Sequence, residues 1–197
     1  GNAFVRYQIK QGPSLNSLNA LAPLPENELR DFPIQWRQYF DPIINAPDDK
    51  KLEAIEILMT NHFVYDYSQP YNSDGQSWGH TAQKYLDRGK PIPIICNTSS
   101  LYYYLMARYL NLPAAYITLV NSDNKTFYHD LSGHAQVMVK SNGTWLKIET
   151  TSFMPLKVPA PRVMPNNEYR SDEESWIEIN FLDRIFSGID RLENHSP

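Results

Sequence analysis

The sequence predicts one domain that mixes helices with an antiparallel hairpin. Three stretches carry that reading. A helix opens just after Cys96, another follows Pro47, and two alternating segments are joined by Ser141-Asn142-Gly143-Thr144. A chain of 197 residues is long enough to bury a single good core.

Taken in order, residues 1–48 carry Pro13, Pro23, Pro25, Pro33, Pro42 and Pro47, which break any long element. Segment 1–49 therefore reads as irregular, with a short helix around 26–39. Asp48 and Asp49 open the first firm helix, over 50–61, where Leu52, Ile55, Ile57, Leu58 and Met59 form a broad apolar face. Residues 63–67 look extended, 68–80 form a turn-rich loop, and 81–88 form a short helix ended by Gly89. Pro91 and Pro93 force an extended approach to Cys96.

Asn97-Thr98-Ser99-Ser100 is a run of helix-capping residues, followed at helical spacing by Leu101, Leu105 and Tyr109, so a helix is expected over 98–110. Strands follow at 114–120, 133–140 and 145–150, with a polar loop over 121–132. The Asn142-Gly143 pair is the strongest short hairpin signal in the chain. Beyond 152, Pro155, Pro159, Pro161 and Pro165 mark an extended stretch, and 181–192 looks helical. The expected organisation is a core over 50–152, with segment 153–197 packed on it.

Charge and composition exclude several function classes. A net charge of -4 supplies no basic footprint for nucleic acid. No run approaches the roughly 18–20 apolar residues of a membrane span. One cysteine rules out an internal disulfide. The chain opens Gly1-Asn2-Ala3, as expected where an export signal has been removed, which points to a secreted or periplasmic location. Glycosylation sequons begin at Asn97, Asn124, Asn142 and Asn194, and a glycan on Asn97 would sit beside Cys96. A bacterial envelope therefore suits the chain better than a eukaryotic secretory route.

Cys96 sits where a proline-stiffened approach meets a helix start. The dipole and open N–H groups of a helix N-terminus stabilise a thiolate, and the same groups can hold the oxyanion formed on an acyl carbon. A lone cysteine is more often simply a small buried apolar residue, so its partners decide. In the alternating strand, His134, Gln136 and Met138 share one face. A two-residue turn at Asn142-Gly143 pairs Ser141 with Thr144, Val139 with Leu146 and Gln136 with Glu149, and sets His134 opposite Thr151. Glu149 then shares the face of His134, at the ~7–8 Å spacing of diagonal neighbours. A carboxylate there can fix the tautomer of the imidazole and stabilise the imidazolium. His129-Asp130 with His134 matches no standard metal-ligand spacing, so no metal is expected. Tyr102-Tyr103-Tyr104 points in three directions from one helix and reads as packing and surface rather than a binding platform.

In this order the motifs resemble the transglutaminase-like superfamily of cysteine enzymes. The matching stretches are Cys96 to Leu110, Leu112-Pro113-Ala114-Ala115, Gly133-His134-Ala135-Gln136-Val137 and Trp145-Leu146-Lys147-Ile148-Glu149-Thr150-Thr151. The resemblance covers roughly 50–152. It implies an α+β, papain-like fold, with the helix of Cys96 packed on an antiparallel sheet. It implies attack of Cys96 on a peptide or carboxamide carbonyl, with His134 as base and then acid, and Glu149 orienting it. The family usually carries Asp at the position of Glu149 and Gly at that of Ile95. It also draws an oxyanion donor from an aromatic or glutamine upstream, for which Gln76, Trp78 and Tyr67 are the candidates.

The expected function is thus a cofactor-free cysteine peptidase or amidase acting on a peptide or protein, with bacterial envelope peptides as one such substrate. A binding module of the same fold with a vestigial site is the alternative. Acyl transfer of the arylamine acetyltransferase kind uses a similar triad, but nothing in the chain singles out a coenzyme A site. A further domain beyond this chain is compatible with the reading.

Overall fold

The computed structural model describes residues 4–9, 12–13, 20–66, 75–119, 135–150 and 176–178. Its elements run β1 (Val5–Gln8), α1 (Glu26–Arg30), α2 (Ile34–Phe40), a 3-10 turn (Asp41–Ile43), α3 (Asp48–His62), β2 (Phe63–Tyr65), α4 (Trp78–Asp87), β3 (Ile92–Ile94), α5 (Cys96–Tyr109), β4 (Ala114–Leu119), β5 (Ala135–Ser141), β6 (Thr144–Glu149) and β7 (Trp176–Glu178). A five-stranded antiparallel sheet in the order β1-β6-β5-β4-β7 carries the helices, and β2 and β3 form a separate parallel pair. This is the α+β arrangement expected, with α5 packed on the sheet.

The β5–β6 hairpin has the anticipated register: Ser141 faces Thr144, and Val139 faces Leu146. Asn142 and Gly143 both take positive φ, 51° and 81°, as a tight turn matched to strand twist requires. Alternation then sorts the side chains. Ala135, Val137, Val139, Tyr116 and Ile148 enter the core beneath α5. Met138, Ala115, Ile117 and Trp145 form a second cluster on the other face, closed by Ile9 and Ala20.

Several elements depart from the sequence reading. The helix expected over 26–39 is two helices, because Pro33 cannot supply an interior N–H and instead precedes α2. Segment 1–49 is less irregular than expected, since β1 forms an outer strand beside β6. The α4 helix begins at Trp78 rather than Thr81, capped by the Ser77 hydroxyl, which accepts from the His80 N–H at 3.0 Å. Gly79 lies within that first turn, where a Cβ would collide with the Asp31 carbonyl. Ile57 is exposed rather than part of the apolar face of α3.

The largest difference concerns α5. Tyr102, Tyr103 and Tyr104 are all buried, so none of the trio is surface. The helix is surrounded. Tyr103 donates to Glu56 of α3 at 2.7 Å, and Tyr102 donates to the Trp78 carbonyl of α4 at 2.9 Å. Lys51 of α3, also buried, donates to the Leu110 carbonyl at 2.8 Å and places a cation at the C-terminal end of α5. In the C-terminal segment, β7 pairs with β4; the helix expected over 181–192 lies outside the described residues.

Candidate active site

Cys96 is the first residue of α5, two positions earlier than the capping run suggested. Ile95 is extended and precedes the helix. Its N–H donates to Thr98 Oγ1 at 2.9 Å, and its carbonyl accepts the Ser99 N–H at 2.8 Å. Thr98 therefore closes the turn from inside, which is why an apolar residue can stand at the cap. Cys96 is buried, and its thiol lies 3.6 Å from Asn97 Oδ1. The Tyr116 hydroxyl donates to the Asn97 carbonyl at 3.3 Å, which ties the same turn to β4.

The serines three and four residues after Cys96 fix the direction of this turn. Ser99 Oγ donates to the Thr150 carbonyl at 3.1 Å, and Ser100 Oγ donates to the Ala135 carbonyl at 3.1 Å. Ala135 opens β5 and Thr150 follows β6, so α5 begins at the ends of those two strands. At the far end of β5, the Lys140 N–H donates to the Pro113 carbonyl just beyond α5. The helix thus runs along β5, and Cys96 stands about 6 Å beyond Ser100, off the strand ends.

Glu149 is buried at the end of β6 and accepts from Gln136 Nε2 at 2.8 Å. The expected facing of residues 136 and 149 is therefore met by a direct hydrogen bond. Both lie on the sheet face turned away from α5, the face of Met138 and Ile117. A relay between Glu149 and Cys96 must accordingly pass around the sheet end rather than through the core. His134 lies outside the described residues, as do Tyr67 and the His129-Asp130 pair.

Of the oxyanion candidates, Gln76 is exposed in a bend. Trp78 is buried at the start of α4, its ring edge-on to Tyr102 with centroids 6.1 Å apart. Its indole Nε1 has no partner among the described residues. Glu28 of α1 holds the turn in place, accepting the Trp78 N–H at 3.0 Å and the Gly79 N–H at 3.4 Å. Burial pushes the Glu28 carboxyl up to about 7 despite those two donors, with Asp31 adding to the rise.

Ser99, Ser100, Thr150 and Gln136 were not singled out as site residues in the sequence. Their signal was present: helical spacing from Cys96 for the serines, and register for Gln136. Asp66 was also passed over. It is buried just after β2, and its N–H donates to the Ile94 carbonyl at 2.9 Å, so it lies at the Cys96 end of the β2–β3 pair. A cavity of about 530 Å³ lined by Trp36, Tyr39, Ile57, His62, Lys90 and Pro91 lies at the opposite end of β3. There His62 closes α3, and Lys90 follows the end of α4.

The family model described as the transglutaminase-like superfamily core matches residues 38–150. The chain belongs to the transglutaminase-like superfamily. The match covers helix α5 and both hairpin strands of this superfamily member. Among solved structures it is similar to a TGase, with 15% identity and a TM-score of 0.39, over 70% of this chain and 37% of that one. It is also similar to a provisionally assigned cysteine protease from Cytophaga hutchinsonii. That similarity has 17% identity and a TM-score of 0.42, over 93% of this chain and 56% of the other. The chain thus spans less than two thirds of either structure. No curated protein matches it. No helix among the described residues is long and apolar enough to cross a membrane.

Proposed function

We propose that this superfamily member is a cysteine enzyme that cleaves a peptide or carboxamide bond through Cys96, His134 and Glu149. One observation carries the reading. Ser99 and Ser100 pin the first turn of the nucleophile helix to Thr150 and Ala135, the immediate chain neighbours of Glu149 and His134.

The Cys96 thiolate attacks the carbonyl carbon, forming a C–S bond, while N–H groups of the α5 N-terminus receive the developing oxyanion. Trp78 Nε1 is the preferred side-chain candidate for a further donor, since it is buried and has no partner among the described residues. Collapse of the tetrahedral adduct breaks the C–N bond, and the His134 imidazolium gives its proton to the leaving amine. Water, deprotonated by His134, then attacks the thioester and releases a carboxylate with the free thiol. Glu149 holds the imidazole in the tautomer this sequence needs.

The substrate class we favour is a peptide of the bacterial envelope, met by a secreted or periplasmic protein. The core over 50–152 carries the site. A vestigial binding module is the second reading. It is favoured by the burial of Cys96 and by the direction of its thiol toward Asn97 Oδ1.

The test is a panel of peptides and primary carboxamides assayed for carboxylate and amine release, with intact-mass detection of the acyl-enzyme. We expect turnover with an adduct on Cys96 and neither in Cys96→Ala. The absence of turnover and adduct across the panel would favour the binding module.

A further inference from the structure

We propose that Gln136 is a positioning residue for Glu149, and so for the relay; the inference rests on the function proposed above. Glu149 carries one more methylene than the aspartate usual in the family, and with it one more rotatable bond. An orienting acid must present a fixed oxygen, because a small displacement of an aligned group is costly in rate. Gln136 supplies the restraint. Its Nε2 donates to Glu149 Oε2 at 2.8 Å between two buried side chains, which restrains the orientation of the carboxylate.

The amide is not explained by packing. Gln136 is fully buried on a strand face that also carries Ile117, Met138 and the buried Lys147, and its own Oε1 has no partner among the described residues. Burying an amide with one end unpaired is unfavourable, and an apolar side chain of the same length would fill the space without that cost. What the amide adds is its donor end. The bond it makes is charge-assisted, the stronger kind, and it is made to the acid.

The register supports the same assignment. Continuing the β5–β6 ladder past Val137 and Ile148 sets Gln136 directly across from Glu149. Residue 134 comes two positions before Gln136 in the sequence. Gln136 therefore stands beside the acid on the adjacent strand, where it restricts how far the carboxylate can swing.

The experiment compares iodoacetamide alkylation of Cys96 at pH 7 in wild type, Gln136→Met, His134→Ala and the double variant, with thermal unfolding as a fold check. Gln136→Leu serves as a second variant should the methionine form not fold. We expect Gln136→Met to slow alkylation on the order of tenfold, and to slow it no further once His134 is gone. A structural role alone would not produce that loss of effect. A Gln136→Met rate equal to wild type beside a slowed His134→Ala overturns the positioning role alone. So does an equal loss in both backgrounds. A His134→Ala rate equal to wild type overturns the relay, and this proposal with it.

Discussion

Ser100 Oγ lies 3.2 Å from Thr150 Oγ1, and the same hydroxyl donates to the Ala135 carbonyl. A hydroxyl has one proton, so Thr150 is the donor of the pair. One side chain of α5 thus joins the start of β5 to the end of β6, at the positions next to His134 and Glu149. Ser100→Ala and Thr150→Val should each cost about 1 kcal/mol in urea unfolding. The double variant should cost less than their sum, because they share a bond. Strict additivity would show that the two hydroxyls do not act together.

Glu28 predicts a pH-dependent stability. Its folded carboxyl sits at about 7, above its ordinary 4.5, because of burial. Protonation therefore favours the folded state. The contribution is complete below about 4.5 and is lost as pH rises through about 7. Wild type should lose on the order of 2 kcal/mol between those limits, and Glu28→Gln should flatten that part of the profile. Denaturant midpoints across the range decide it, and an unchanged slope in the variant would remove Glu28 as the cause.

Glu56 of α3 accepts both guanidinium nitrogens of Arg6, at 2.9 and 2.8 Å, together with the Tyr103 hydroxyl. This carboxylate fastens β1 to the helices beside the strand that carries Glu149. Glu56→Ala leaves a half-buried cation and a buried phenol without their acceptor. It should cost roughly 3 kcal/mol in equilibrium unfolding. Arg6→Met, which leaves no cation behind, should cost clearly less; the reverse order would contradict this role for Glu56.

The hairpin turn offers a backbone test. Gly143 sits at φ 81° with open space where a side chain would go, so any penalty there is conformational rather than steric crowding. Gly143→Val should destabilise the fold by roughly 1–2 kcal/mol. Asn142→Gly, at φ 51°, should be nearly neutral, and thermal unfolding of both variants distinguishes the two positions.

The hairpin was legible because its register is fixed locally. Two residues able to adopt positive φ dictate the turn, the turn dictates the pairing, and the pairing delivers Gln136 to Glu149. Helix α5 was legible for a similar reason, although its start was not. Thr98 caps from inside the first turn, so the capping run lay within the helix rather than before it. Burial of the three tyrosines was hidden because it depends on α3 and α4 both packing on α5, partners more than a dozen residues away. The strand β1 was hidden likewise. A four-residue outer strand is defined by its neighbour β6, more than two thirds of the chain distant, and not by any pattern of its own. The sheet face of Glu149 followed from alternation only once the position of α5 was known.

The central claim is that His134 activates Cys96, and the most direct measurement is the alkylation rate of Cys96 by iodoacetamide at pH 7 in wild type and in His134→Ala. Activation predicts a wild-type rate at least about tenfold higher, since the thiolate is the reactive species. Equal rates, in variants that unfold at the same temperature, would contradict it and leave a binding domain on a catalytic fold.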